Sequence, residues 1–246
     1  MKTLFFAIAT LFAAAVSAGT IDPKTPDQKH VDYGAKFECV ARISCRENKS
    51  GKTAYASCVA VSPRWVVTAG HVVADSSDWK VILLNGKTVK IEELIIHEEF
   101  KEASLGFNDI AVGKCEEDLG LSFYPALYAG DDETGKVVSI CGYGVTGTFS
   151  TGANLSDGKR RAGSNTIDHC ERGVLVCSVG SGIKTELEFL IAPGDSGGGL
   201  FIGNQLAGIN SFLMVEGRSP ASKYGEESGH TRVSLHREWI HERIGK

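Results

Sequence analysis

The chain has 246 residues, of which 42% are hydrophobic, 23% are charged and 29 are glycines. This composition is typical of a folded, turn-rich globular protein, and it excludes a disordered chain or a coiled coil. The formal net charge of -4 gives no general attraction to phosphate backbones or anionic membranes. We therefore expect neither a nucleic-acid partner nor a membrane partner.

Residues 1–18 have the features of a secretory signal peptide. Lys2 is an early cation, residues 4–16 form an apolar run, and Val16, Ser17 and Ala18 are the small residues of a cleavage site. The run is shorter than the roughly 18 residues that a membrane-spanning helix needs. The sequence predicts an exported protein, secreted to the extracellular space or, in a bacterial host, to the periplasm.

Export allows disulfides, but the chain has seven cysteines, so at least one thiol stays free or bonds to another chain. Cys170 and Cys177 flank a predicted turn at 171–173, which favours a bridge between these two. The alternative is that the cysteines are buried as small apolar residues. No C-x-x-C or H-E-x-x-H motif occurs, so the sequence predicts no metal and no other cofactor.

Residues 19–36 follow as a predicted flexible leader or propeptide, since 19–29 contains two prolines and several charges. Short β-rich runs separated by turn signals then form two sets of similar length, and only 234–244 has helical periodicity. The first set lies at 39–43, 56–61, 65–67, 79–84 and 89–96, and the second at 137–141, 174–179, 187–191, 198–202 and 206–214. The pattern predicts an all-β fold of two packed antiparallel barrels, 37–120 and 121–246, the second ending in an α-helix. A single large sandwich is the alternative.

Three residues are candidates for nucleophilic catalysis. Ser196 is surrounded by glycines in 194–200, which lets backbone N–H groups converge on an oxyanion; the alternative is a simple turn. His71 ends the apolar run 65–71, and Asp109 opens the run 109–112, where a shielded carboxylate can fix a histidine tautomer. Taken singly, the pattern around His71 also fits a histidine with a purely structural role, and that around Asp109 fits an ordinary aspartate at the start of a strand. Together they stand in the order His, Asp, Ser across two β-rich halves, so a cleft between the halves can assemble a triad.

With these motifs the sequence resembles the chymotrypsin (trypsin-like) family of serine endopeptidases. The motifs 65–71, 108–110 and 194–200 carry the resemblance, and 142–144, 206–212 and 231–233 extend it from about residue 37 to the C-terminus. It implies two six-stranded barrels, polypeptide substrates, proteinaceous inhibitors as candidate partners, and a monomer. It also implies that Ser196 attacks the scissile carbonyl, His71 transfers the proton, Asp109 orients His71, and the N–H groups of Gly194 and Ser196 bind the oxyanion.

The sequence departs from the family in two places. Asp195 stands where the family pairs an aspartate with a freshly cut terminal ammonium, but the usual terminus is absent; its nearest analogue is His30, which would need a cut after Lys29. The usual cysteine after the catalytic histidine is replaced by Val72, so the family's disulfide pattern cannot be transferred.

Counting from Ser196, the resemblance puts Leu190 at the base of the substrate pocket and Leu213 where the family often has a wall glycine, with Ser211 and Phe212 beside it. An apolar base cannot stabilise a buried cation, so we expect a preference for small or aliphatic residues before the scissile bond. A shift in loop register that brought Glu226 or Glu227 into the pocket would instead favour Lys or Arg.

Two other functions fit parts of the pattern. A secreted esterase could use Gly194, Ser196 and Gly198 as a nucleophile elbow, but its acid follows the serine, no Asp lies downstream of Ser196, and the strand-helix alternation is missing. An inactive, protease-like binding protein usually lacks a triad residue, whereas all three are present here.

Overall fold

The computed structural model of the chain describes residues 19–104, 106–180, 182, 184–215 and 221–245. The predicted signal peptide, 1–18, lies outside these residues. No helix within these ranges combines the length and apolar character required to span a membrane.

Residues 19–36 are folded, which corrects the expectation of a flexible leader. They form strand β1 (Thr20–Ile21) and helix α1 (Asp27–Gly34). Helix α1 packs against the segment around Arg161, whose guanidinium is buried and pairs with Asp27 at 2.6 Å. Close backbone approach at Gly34 explains the fit, since a Cβ there would lie 2.9 Å from the carbonyl oxygen of Arg160.

The first half is a closed antiparallel barrel, so a single sandwich is excluded. Its apolar strand residues pack into one core, as do the paired residues Val59 and Val67 of neighbouring strands. The barrel closes in the order β2-β3-β4-β7-β6-β5. The elements are β2 (Val40–Glu47), β3 (Thr53–Ser62), β4 (Trp65–Thr68), helix α2 (Gly70–Val73), β5 (Ser76–Ile82), β6 (Thr88–Ile96), a 3₁₀ turn (Glu102–Ser104) and β7 (Ala111–Cys115).

The second half contains an eight-stranded sheet and a four-stranded sheet, so it is more elaborate than the six strands expected. The large sheet runs β12-β9-β16-β17-β18-β14-β13, with β8 paired to β17, and the small sheet runs β11-β10-β1-β15. The strands are β8 (Ala126–Leu127), β9 (Val137–Gly142), β10 (Thr146–Thr148), β11 (Gly152–Leu155), β12 (Arg161–Thr166), β13 (His169–Glu171), β14 (Val174–Ser178), β15 (Phe189–Leu190), β16 (Gly199–Ile202), β17 (Gln205–Met214) and β18 (Glu227–Arg232).

Helix α3 (Val233–Ile244) ends the fold, as the periodicity predicted, and Gly245 terminates it in a left-handed conformation. It contacts β7 of the first half and β8 and β17 of the second. Val233 and Ile240 are buried in the first core, whereas Leu235 is 59% exposed. The helix therefore packs across the two halves.

All seven cysteines are free thiols, and the predicted bridge between Cys170 and Cys177 does not form. The turn between them exists, but Cys170 pairs with Leu175, which makes Cys177 its diagonal neighbour in the ladder. Diagonal neighbours are about 7–8 Å apart, beyond the usual Cα separation of a disulfide. Burial raises the pKa of Cys39 to about 12, and those of Cys58 and Cys141 well above the ordinary range.

Candidate active site

His71 lies at the end of the first barrel, on the short helix α2 that follows β4. Its backbone N–H donates to Oδ1 of Asp109 at 2.8 Å, and its Nδ1 lies 2.7 Å from Oδ2 of the same carboxylate. The close approach uses Gly70, where a Cβ would stand 3.3 Å from Oδ1. A third of the His71 side chain is exposed while the Asp109 side chain is 3% exposed. A buried carboxylate thus holds a partly exposed imidazole by Nδ1.

The pKa values of this pair are shifted in opposite directions. Burial alone would lower the pKa of His71, but the charge and hydrogen bond of Asp109 outweigh it and leave that pKa raised. Burial alone would raise the pKa of Asp109, but His71 and the hydroxyl of Ser211, which donates to Oδ2 at 2.5 Å, leave it lowered. Asp109 is therefore ionised at neutral pH, and it selects the tautomer with hydrogen on Nδ1.

Ser196 faces the same region from the second half. Its Oγ donates to the carbonyl of Ser211 at 3.5 Å, and within the described residues it has no hydrogen bond to His71. The next residue, Gly197, lies against the end of β4, where a Cβ would stand 2.1 Å from Oγ1 of Thr68 and 3.1 Å from the amide nitrogen of Ala69. Ser211 contacts both Asp109 and Ser196, so it connects the loop of Ser196 to the carboxylate that holds His71.

The loop before Ser196 begins with a tight turn. The N–H of Asp195 donates to the carbonyl of Ala192 at 3.0 Å, and Gly194 has φ +94°. Proline at the second position and a positive-φ glycine at the third are the signature of a type II turn. No described residue accepts a hydrogen bond from the N–H of Gly194 or of Ser196. The two amides proposed to bind an oxyanion are thus unoccupied by the protein itself.

Asp195 is fully buried and accepts three backbone hydrogen bonds. Gly144 donates to Oδ1 at 2.7 Å, and Ala192 and Gly19 donate to Oδ2 at 2.9 and 2.8 Å. Burial raises the pKa of Asp195 to about 7, although these donors oppose the shift. The backbone N–H of Gly19, and not His30, therefore lies against this carboxylate; His30 is buried in α1, where its ring bonds the carbonyl of Ala162.

The predicted pocket residues are largely apolar and packed together. Leu190 is fully buried in a small cluster with Phe149 and Val179, and Leu213 packs against that cluster. The ring of Phe212 lies over Gly229, where a Cβ would stand 2.2 Å from it. Ser211, predicted to bind substrate, directs its hydroxyl to Asp109 instead.

The two glutamates considered as alternative pocket acids are held in different ways. The Glu226 carboxylate accepts hydrogen bonds from the amides of Ser222 and Lys223 at 2.5 and 3.0 Å. Glu227 lies at the start of β18, paired with Ser178 and Met214. Glu226 lies near the predicted pocket, because the hydroxyl of Ser222 contacts the carbonyl of Leu190 at 3.5 Å, but backbone amides engage its carboxylate.

Sequence reasoning missed several buried polar residues that support the site. Asn210 donates to the carbonyls of Cys141 and Asp195 at 3.1 and 3.2 Å. His230 in turn donates to the side-chain oxygen of Asn210. Burial lowers the pKa of His230 to about 3. Ser57 bonds the loop from the first barrel. The only sequence signal of Asn210 and of Ser57 is a polar residue inside an apolar run. No cluster of three or more metal-binding side chains occurs in the part of the chain that the structure describes.

A family model described as Trypsin matches residues 28–240. The chain belongs to the trypsin family. Family membership gives its class, a serine-type endopeptidase acting on polypeptides, and the chymotrypsin-like fold expected from the sequence is confirmed.

The relatives of this trypsin-family chain are distant. Human chymotrypsin-like elastase family member 3A is 27% identical, with 96% of this chain and 97% of the relative covered. Brachyurin from Leptuca pugilator is 25% identical over 75% of this chain and 85% of its own. Among solved structures, HL collagenase has a TM-score of 0.70 at 20% identity, covering 85% of this chain and 94% of the other. Mouse neuropsin has a TM-score of 0.67 at 19% identity, covering 85% and 95%.

Proposed function

We propose that this trypsin-family protein is a secreted serine endopeptidase in which Ser196, His71 and Asp109 hydrolyse peptide bonds through an acyl-enzyme. The hydrogen bond of 2.7 Å between His71 and the buried Asp109 carries the proposal, because it leaves Nε2 as a free base at the cleft. The loop contacts of Ser196 and Gly197 with the same cleft support it.

The reaction needs two proton transfers in each half. Ser196 Oγ attacks the scissile carbonyl carbon while its proton passes to Nε2 of His71; the C–N bond then breaks as that proton passes to the leaving amine. Water attacks the acyl-enzyme in the same way, and Ser196 recovers its proton. Serine side chains rotate within nanoseconds, and hydrogen bonds to a nucleophile often tighten only when substrate binds. The contact of Ser196 with Ser211 is therefore compatible with attack.

The oxyanion of each tetrahedral intermediate is bound by the N–H groups of Gly194 and Ser196. The carbonyl of Pro193 accepts the N–H of Val145 at 2.7 Å. Because C=O and N–H point in opposite directions across a trans peptide, this bond turns the N–H of Gly194 away from Val145. One such donor is worth about 100- to 1,000-fold in kcat in a comparable enzyme.

The pocket is proposed to accept small or aliphatic residues before the scissile bond. Leu190 and Leu213 make the predicted pocket apolar, and burying an unpaired ammonium there would carry a large desolvation cost. The engagement of the Glu226 carboxylate with the loop at 222–223 supports the same preference.

Removal of residues 1–18 is proposed to complete the site directly. In the precursor the Gly19 nitrogen is a peptide amide, and cleavage after Ala18 converts it into an ammonium at 2.8 Å from the buried Asp195 carboxylate. Gly19 is suited to this place because its φ is +51° and a Cβ would stand 2.0 Å from the ring of Phe189. Export and maturation would then be one step, without a separate propeptide. A monomeric state and proteinaceous inhibitors stay predictions.

The proposed function is tested with purified mature protein, a serine-directed phosphonate and an unfolded protein substrate. We expect one covalent adduct, mapped by mass spectrometry to Ser196, and cut sites after small or aliphatic residues. Ser196→Ala should lose both, with kcat reduced on the order of a million-fold. The control Ser50→Ala, on an exposed serine, should keep both. A folded wild-type protein with no adduct at Ser196 would favour the inactive binding protein.

A further inference from the structure

Ser57 connects the first barrel to the loop of Ser196 through two hydrogen bonds, and two further bonds join it to Tyr143 and Thr68. It lies on β3 and is fully buried. Its N–H donates to the carbonyl of Ser196 at 2.9 Å, and its hydroxyl donates to the carbonyl of Gly194 at 2.9 Å. The same hydroxyl accepts the N–H of Tyr143 at 3.0 Å, and the carbonyl of Ser57 accepts the hydroxyl of Thr68 at 2.8 Å.

The direction of the Ser57 hydroxyl proton is fixed by these partners. Backbone amides only donate, so the N–H of Tyr143 must bond a lone pair of Oγ. The carbonyl of Gly194 only accepts, so it takes the single hydroxyl proton. Burial of Ser57 keeps competing water away, which makes each of these bonds costly to break.

Each carbonyl of the loop from 193 to 196 has its own donor. Pro193 is bonded by Val145, and Asp195 is bonded by the N–H of Gly198 and the side chain of Asn210. The remaining two carbonyls, those of Gly194 and Ser196, are both bonded by Ser57. With every carbonyl held on the outside of the loop, the N–H groups left without a protein acceptor are those of Gly194 and Ser196.

We propose that Ser57 is a positioning residue that keeps the N–H of Gly194 directed at the oxyanion. The hydroxyl of Ser57 holds the Gly194–Asp195 peptide on one side of this glycine, while the bond from Val145 to the carbonyl of Pro193 holds the peptide that carries the N–H of Gly194. The inference rests on the proposed function. Glycine at 194 with φ +94° has no side chain to resist rotation, so an external bond must fix its orientation. Without the hydroxyl, the carbonyl of Gly194 loses its donor and the N–H of Tyr143 loses its acceptor. Rotation of either peptide that flanks Gly194 would then compete with the active arrangement.

Ser57→Ala tests the proposal in the mature, full-length protein. We expect kcat to fall roughly 10- to 100-fold with KM nearly unchanged, because the loss acts on a transition-state interaction and cannot exceed that of one oxyanion donor. Binding of a peptide aldehyde, whose hemiacetal oxygen occupies the oxyanion site, should weaken by a similar factor. Binding of the matching peptide alcohol, which forms no such oxygen, should change less than about twofold.

Matched variants separate positioning from a purely structural role. Ser44→Ala removes a buried serine of the neighbouring strand β2 that has no hydrogen bond to the loop, and it should keep wild-type kcat and aldehyde binding. Ser57→Cys keeps a weak donor of similar size and should recover part of kcat. If Ser57→Ala does not fold, Ser57→Cys is judged by the same aldehyde-to-alcohol ratio.

The proposal is overturned if a folded Ser57 variant keeps wild-type kcat and aldehyde affinity, or if aldehyde and alcohol weaken equally. Failure of the proposed function would look different, since the wild-type protein itself would then give no phosphonate adduct at Ser196.

Discussion

The Asp109 carboxylate accepts bonds from the backbone and ring of His71 and from the hydroxyl of Ser211, so it fixes both the position and the charge of the base. Asp109→Asn keeps the size of the side chain but permits the wrong imidazole tautomer. We expect kcat to fall about 10,000-fold, as in the comparable substitution in a serine protease. Single-turnover assays measure this fall, and Asp78→Asn, at an exposed acid of the same barrel, is the control.

The same variant has a signed pH effect. The base must be neutral, so activity rises as pH rises through the pKa of His71, which Asp109 holds above its ordinary value. Removing the charge of Asp109 lowers that pKa. In the pH profile of the variant, the rise of kcat/KM with pH should therefore occur at lower pH than in the wild type. If kcat/KM rises at the same pH in the variant and in the wild type, His71 is not the titrating base.

Leu213 is proposed to set the depth of the pocket, because its side chain packs against the cluster containing Leu190. Leu213→Gly should open the space and raise cleavage after large apolar residues relative to small ones by about 10- to 200-fold, the range that pocket size commonly provides. A peptide-library profile measures the ratio. Leu235→Ala, on the exposed face of α3, should leave the profile unchanged. A profile dominated by Lys and Arg in either protein contradicts the apolar-pocket prediction.

At the scale of elements, strand β1 ties the N-terminal segment to the substrate pocket. Thr20 pairs with Gly147 on one side and with Leu190 on the other. Its hydroxyl also lies 2.5 Å from that of Ser222, which in turn bonds the carbonyl of Ile191. Displacing Gly19 would therefore disturb the pocket as well as Asp195.

A protein that carries one extra residue before Gly19 should be less active than one that begins at Gly19. The extra peptide bond removes the ammonium and leaves a buried carboxylate unpaired, so we expect a loss on the order of 100-fold in kcat/KM and about 3 kcal/mol in the free energy of unfolding at pH 7. Both forms are made by cleavage of a removable fusion and compared by peptide assay and thermal unfolding. Equal activity would contradict the maturation proposal.

The pH dependence of the extended form follows from the raised pKa of Asp195. Its value of about 7 lies above the ordinary 3.8, so the folded state binds the proton more tightly than the unfolded state. Stability from this group is present below pH 3.8 and is lost as pH rises toward 7. An ammonium at Gly19 lowers that pKa and reduces the loss. The difference in melting temperature between the two forms should therefore widen from pH 4 to pH 7.

At the scale of the whole molecule, local patterns predicted the strands near the site well. Trp65–Thr68 and the run opening at Asp109 are short, β-rich and apolar, and their pairing in one barrel follows from that character. The folded structure of residues 19–36 could not be predicted from local sequence patterns. Its prolines and charges are typical of a linker, whereas its place in the fold depends on long-range contacts, such as those of Gly19 with Asp195 and of Asp27 with Arg161.

The supporting polar residues were equally hard to predict, since a buried serine or asparagine is decided by partners far along the chain. Ser57 bonds Gly194 and Ser196, and Asn210 bonds Cys141. The predicted disulfide was wrong for a related reason. The short separation between Cys170 and Cys177 in the sequence does not specify the register of the two strands, which decides whether these residues lie opposite each other.

The free thiols lead to a prediction for the whole molecule. Since all seven cysteines are free, the stability of this trypsin-family protein rests on its packed apolar clusters and hydrogen bonds, so reducing agent should change neither its melting temperature nor its activity. Alkylation of the denatured, unreduced protein should add seven labels. Alkylation of the native protein should favour Cys170, since the other six cysteines are buried. Each disulfide present in the secreted protein would remove two labels, and a drop in melting temperature on reduction would then identify it as stabilising.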